Sequence, residues 1–156
     1  MDMKEAAALK LQGIDAEGRE KTFSLGDFAG RELVLYFYPK DNTSGCTQEA
    51  CDFRDNMNRL TSRAAVVGVS PDSLESHRKF QTEHGLNFPL LSDPNHTLAE
   101  LFGAWGEKSM YGRKYMGIIR STFLIGPDGQ IRHSWPKVKV KGHVDDVLKV
   151  LGEQKA

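Results

Sequence analysis

Two runs of β-forming residues constrain this chain most strongly: ELVLYFY at Glu32–Tyr38 and AAVVGVS at Ala64–Ser70. Both are nearly continuous in apolar or aromatic residues. That pattern suits strands covered on both faces, as in a sheet with helices on either side. Between them the hydrophobic period lengthens. From about Thr43 to Leu60, the residues Cys46, Ala50, Phe53, Met57 and Leu60 fall at i, i+4, i+7, i+11 and i+14. They form one apolar stripe of a helix that should face the sheet. A strand, a helix and a second buried strand predict a right-handed crossover with parallel pairing.

The rest of the chain extends this alternation. ALKLQGI and KTFSL read as short early strands, a hairpin turning at Asp15–Gly18. SPDSLESHRKFQTEHG offers Ser70 as a helix cap, Pro71 at the first helical position and Gly85 as a stop. FPLL is a short strand, and DPNHTLAELFG a capped helix ending at Gly103. STFLIGPDGQIRHSW predicts a β-hairpin around Gly-Pro-Asp-Gly, with Phe123 and Trp135 as sheet residues. GHVDDVLKVLGEQ closes the chain as an amphipathic helix with Val144, Val147, Leu148 and Leu151 on one face. The order is that of an α/β, thioredoxin-like fold: a central mixed β-sheet flanked by helices, with an N-terminal β-hairpin extension.

A length of 156 residues suggests one domain, 1–156. Lys plus Arg and Asp plus Glu both number 21, which points to neither a nucleic-acid nor a membrane-surface partner. The N-terminus MDMKEAAALKLQG lacks a signal-peptide core, so a soluble, cytoplasmic protein is the expectation. Two cysteines are too few for a secreted disulfide scaffold. The five histidines are scattered and make no tight cluster with them, which argues against zinc.

Both cysteines lie in PKDNTSGCTQEACD, directly after the first buried strand. Cys46 opens the apolar stripe in the first turn of the helix, with Thr43 and Ser44 as N-cap candidates and Gly45 allowing close backbone approach. Unpaired N–H groups and the positive end of the dipole favour an anion there. A thiolate at such a place is stabilised, although a small buried thiol starting a core stripe would give the same pattern. Cys51 follows five residues later. Along a helix that is about 500° of rotation and a rise of about 7.5 Å. Disulfide Cα atoms are seldom more than about 7 Å apart, so the two cannot bond while both stay helical.

At these residues the sequence resembles the peroxiredoxins, whose signature is Pro, three residues, Thr or Ser, two residues, Cys. Here it reads Pro39-Lys-Asp-Asn-Thr43-Ser-Gly-Cys46. The following TQEACDFRD resembles the bacterioferritin comigratory protein (peroxiredoxin Q) subfamily, and RSTFLIGPDGQI is similar to a family segment that maps the active-site arginine onto Arg120. GVSPDSLESHRKF and FPLLSDP are further family-like blocks, and Gly126 stands where Asp is common. The resemblance implies Cys46 as the peroxidatic cysteine and Cys51 as the resolving cysteine within one subunit. It further implies that Thr43, Gly45 and Arg120 bind the peroxide and that Pro39 shields the pocket and contacts the same substrate. Hydroperoxides are the implied substrates and thioredoxin, or a similar dithiol, the implied reductant. No metal, haem or flavin cofactor is called for. The subfamily is often monomeric.

The chemistry explains why more than a thiolate is needed. A free cysteine has a pKa near 8.5, so about 3% is thiolate at pH 7. Lowering the pKa to about 6 raises that about 30-fold but costs about tenfold to 20-fold in nucleophilicity. The larger contribution must come from donors aimed at the peroxide oxygens, each typically worth about 10²–10³. Arg120 offers several fixed donors, Thr43 a hydroxyl, and Glu49 is a candidate partner for Arg120 or for the region of Tyr38–Lys40, or else a solvated carboxylate. Trp105, in the basic, Gly-rich stretch FGAWGEKSMYGRKYMGIIR that reads as irregular, is expected to pack in the core, to form a rim of the site or to offer a docking surface for the reductant. Two rival readings use the same cysteines. A thioredoxin-type disulfide reductase normally needs Cys-x-x-Cys spacing, and a redox-sensing or chaperone-like domain would use the pair as a switch.

Overall fold

The computed structural model describes residues 3–153. The predicted end of the last helix, at Gln154, lies outside them. A seven-stranded sheet forms the centre. Its strands are β1 (Leu11–Ile14), β2 (Glu20–Phe23), β3 (Glu32–Phe37), β4 (Ala64–Ser70), β5 (Leu90–Ser92), β8 (Ser121–Ile125) and β9 (Ile131–Trp135). They lie in the order β2-β1-β5-β4-β3-β8-β9. β3, β4 and β5 are parallel, and the early and late hairpins add antiparallel strands at the two edges. The mixed sheet and the N-terminal hairpin expected from the sequence are both present.

β3 and β4 are buried along their whole length, as their composition requires. Alternate side chains serve opposite faces. Val34, Tyr36 and Tyr38 face one core with Val66 and Leu124. That core is closed by α2 (Ser44–Asp55), α3 (Met57–Leu60), α4 (Leu74–His84) and α6 (His143–Glu153). Leu33, Leu35 and Phe37 face the other with Val67, Val69 and Phe123. It is covered by α1 (Met3–Ala8), α5 (Thr97–Leu101) and Phe102. The stripe Cys46, Ala50, Phe53, Met57 and Leu60 is buried throughout, and Phe53 stacks on Tyr36 at 4.7 Å. Trp135 packs at the margin of the first core.

Four local expectations are corrected. MKEAAA forms α1, so β1 begins at Leu11 rather than Ala8; these are strong helix formers. The stripe from Ser44 to Leu60 is two helices, broken at Asn56, whose side chain donates to the Asp52 carbonyl at 2.8 Å. α4 is capped by Ser73 rather than Ser70, because Ser70 ends β4 and pairs with Ser92. The stretch after Trp105 is an ordered hairpin of β6 (Trp105–Met110) and β7 (Arg113–Ile118). Its turn residues Tyr111 and Gly112 both have positive φ, the requirement of a type I′ turn. No helix among the described residues is long and apolar enough to cross a membrane.

Candidate active site

β3 delivers the chain to a short loop, half-buried at Pro39, that enters α2 at Thr43. Thr43 is the N-cap residue by backbone geometry, but its side chain makes no cap bond. Its hydroxyl instead donates to the Lys40 carbonyl at 2.9 Å. The oxygen lone pairs of Thr43 stay available as acceptors. Cys46 follows in the first turn, only 1% exposed, as a free thiol.

Arg120 immediately precedes β8, and β8 pairs with β3 at Ser121–Phe37. This pairing sets Arg120 beside the point where β3 releases the loop. Its guanidinium is a fork: one NH₂ group donates to Cys46 Sγ at 3.2 Å, the other to Glu49 Oε1 at 2.6 Å. Cys46 and Glu49, three apart on α2, lie on the same helix face and meet one cation. Glu49 is fully buried, and the loss of water raises its pKa to about 7 despite the arginine. Burial works against the Arg120 charge, yet Glu49 and Cys46 together hold its pKa above the usual value. Gly45 leaves room here, because a Cβ would sit 3.2 Å from the Arg120 nitrogen that contacts the sulfur and would push it by a few tenths of an ångström. Of the two partners weighed for Glu49, Arg120 is the one found.

Two side chains join the site that the sequence did not single out. Lys108 of β6 donates to the Ile118 carbonyl at 2.8 Å, and its pKa is lowered by burial and by Arg120 while Cys46 pulls the other way. It is a second cation in the field of the sulfur. Only the β6–β7 hairpin brings it there, and the Tyr-Gly turn was the available signal for that hairpin. Tyr36 is fully buried beneath the helix, its hydroxyl without a hydrogen-bond partner and its pKa raised by desolvation, Glu49 and Cys46. Trp105 is half-buried against the second core and stacks on His96 at 3.6 Å.

Cys51 is half-exposed, a free thiol on the same unbroken helix as Cys46. Asp41, Asp72 and His77 bring three ligand-type atoms within 4.8 Å of one another, a grouping that the scattered sequence positions did not announce. Their oxygens and ring nitrogens are engaged by Tyr38, Ser70, Ser76 and Leu91.

Comparison with known proteins identifies the family. Residues 3–134 match the AhpC/TSA family. Peroxiredoxin Bcp of Bacillus subtilis strain 168 is 50% identical over 149 residues, covering 95% of this chain and 92% of its own. Peroxiredoxin Bcp of Escherichia coli K12 is 45% identical over 140 residues, covering 89% and 88%. Among solved structures, the bacterioferritin comigratory protein of Xanthomonas campestris, described for its alkyl peroxide reduction activity, superposes with a TM-score of 0.91. It is 40% identical, and the match covers 98% of this chain and 96% of that one. The chain therefore belongs to the AhpC/TSA family and, within it, to the Bcp/PrxQ peroxiredoxins, which are thiol peroxidases.

Proposed function

We propose that this chain reduces hydrogen peroxide and organic hydroperoxides at Cys46 and resolves the product with Cys51. The observation that carries the reading is the Arg120 contact to the Cys46 sulfur, made from the same guanidinium that Glu49 holds. The alkyl peroxide reduction named for the Xanthomonas relative supports the organic substrates.

The Cys46 thiolate attacks one peroxide oxygen. An S–O bond forms, the O–O bond breaks, and the second oxygen leaves as hydroxide or alkoxide and takes a proton. The peroxide is reduced by two electrons and the sulfur becomes a sulfenic acid. Arg120 donates to the oxygens as charge builds on them, in a site nearly closed to water where such donors count most. Lone pairs of Thr43 Oγ1 accept the peroxide O–H. Pro39 and Gly45 shape the mouth of the site. Cys51 then displaces water from the sulfenic acid to form a disulfide, which requires the first turns of α2 to unwind. A dithiol reductant of the thioredoxin kind returns two electrons by thiol–disulfide exchange. This cycle suits the reducing cytoplasm and a single subunit.

One equivalent of hydrogen peroxide followed by peptide mass spectrometry tests it. A Cys46–Cys51 crosslink is expected, absent in Cys46→Ser. Oxidation of Cys51 alone, or no reaction faster than that of free cysteine, would overturn the reading.

A further inference from the structure

A second polar cluster is buried away from the cysteine–arginine contact, and it grips the loop that leads into α2. Asp41 is 5% exposed and His77 0% exposed. His77 Nε2 lies 2.9 Å from the Leu91 carbonyl oxygen, and Nδ1 lies 2.7 Å from Asp41 Oδ2. A carbonyl only accepts, so Nε2 carries a hydrogen. Another hydrogen must lie between Nδ1 and Oδ2, since two lone pairs at that distance repel. The Asp41 carboxylate also receives the Tyr38 hydroxyl at 2.6 Å and the Ser76 hydroxyl at 2.8 Å. Its backbone N–H donates to Asp72 Oδ2 at 2.8 Å.

Asp41 stands two residues before Thr43 and five before Cys46. The next residue, Asn42, has φ +62°, a left-handed conformation that Asn tolerates but does not prefer. Its side-chain oxygen lies 3.0 Å from His84 Nε2. Helix α4 therefore holds two successive loop residues, Asp41 through Ser76 and His77 and Asn42 through His84. Nothing in the cysteine–arginine chemistry requires this arrangement.

We propose that Asp41 and His77 form a latch, a pair of positioning residues that holds the Pro39–Thr43 loop, and hence the start of α2, in the shape that attacks peroxide. The consequence rests on the peroxidase reading. The latch favours the first chemical step, which needs the ordered helix start. It opposes the second, in which that start must unwind for Cys51 to reach Cys46.

Three variants separate the latch from general packing. Asp41→Ala removes it. His77→Gln keeps a donor toward Leu91 but loses Asp41. Asp41→Asn keeps an acceptor for Tyr38, and its amide can donate to an unprotonated Nδ1, so it should rescue. In the reduced protein without peroxide, amide exchange over residues 42–50 should rise about tenfold to 100-fold in Asp41→Ala and His77→Gln, because each leaves a buried polar group without its partner. Exchange in β4 should hold, and Asp41→Asn should stay near wild type. In single-turnover kinetics the first two variants should form sulfenate more slowly and close the disulfide faster. Unchanged exchange over 42–50, loss of protection extending equally to β4, or both steps shifting in one direction would overturn the latch. The exchange experiment uses no peroxide. A wild type that never forms sulfenate would sink the peroxidase reading, and exchange would still judge the latch.

Discussion

Arg120 and Glu49 lie 71 residues apart in sequence and meet at 2.6 Å on the buried side of α2. The pair fixes the guanidinium so that its other NH₂ group reaches the Cys46 sulfur. A long arginine side chain loses rotamer freedom when held, and Glu49 holds it before any substrate arrives.

Replacing Arg120 tests that arrangement directly. Arg120→Ala should slow sulfenate formation by about 10²–10³, the typical effect of removing one donor aimed at a developing oxyanion. Arg120→Lys should recover only part of the loss, because an ammonium lacks the planar fork that serves Glu49 and Cys46 together. Stopped-flow fluorescence with hydrogen peroxide measures both. A lysine variant as fast as wild type would show that charge alone is sufficient.

Gly45→Ala separates catalysis from stability. The new Cβ would stand 3.2 Å from the Arg120 nitrogen, so the guanidinium must shift by a few tenths of an ångström. Misplacement by about 1 Å can cost about 100-fold, and the smaller shift here should cost about threefold to tenfold. Alanine is the better helix former by about 1 kcal/mol, so thermal stability should hold or rise. A rate equal to wild type would mean that the fork adjusts without penalty.

The pH dependence of stability should reveal Glu49. Its folded pKa, raised to about 7 by burial, exceeds its ordinary value of 4.5. The folded state thus binds this proton more tightly, and its contribution grows as pH falls from about 7 to about 4.5. His143 is pushed by burial down to about 4 from 6.5, so its contribution is lost as pH falls through that interval. The two oppose each other. Glu49→Gln removes the first and leaves the second, so it should lose more stability on acidification than wild type. The difference should be on the order of 1–3 kcal/mol between about pH 7 and pH 4.5. Urea unfolding at several pH values measures this, and identical acid limbs would contradict it.

Cys51→Ser should still reduce one equivalent of peroxide but accumulate sulfenate, detectable by a dimedone adduct on Cys46. Thioredoxin-driven turnover should fall about tenfold or more, because the chain then holds no second thiol to condense with the sulfenic acid. In the wild type, oxidation should loosen amide protection over residues 43–54, because two positions a helical rise of about 7.5 Å apart cannot bond in place. Undiminished turnover in the variant would remove Cys51 from that role.

Much of this protein was legible in the sequence because the relevant physics is local. Continuous apolar runs specified β3 and β4, a helical period specified the stripe from Cys46 to Leu60, and the position of Cys46 in the first helical turn followed from both. The Pro39–Cys46 spacing carried the family, the resemblance singled out Arg120, and the pairing of β8 with β3 explains its reach. Helix boundaries were less legible. Ser70 and Ser73 are both sound caps, and only the pairing of Ser70 with Ser92 in the sheet decides between them. What tertiary structure alone decided are the meetings of distant residues: Arg120 with Glu49, Lys108 with the field of Cys46, and Asp41 with His77. Each depends on how separate elements approach across the sheet, and no periodicity or spacing along one segment encodes the distance to another.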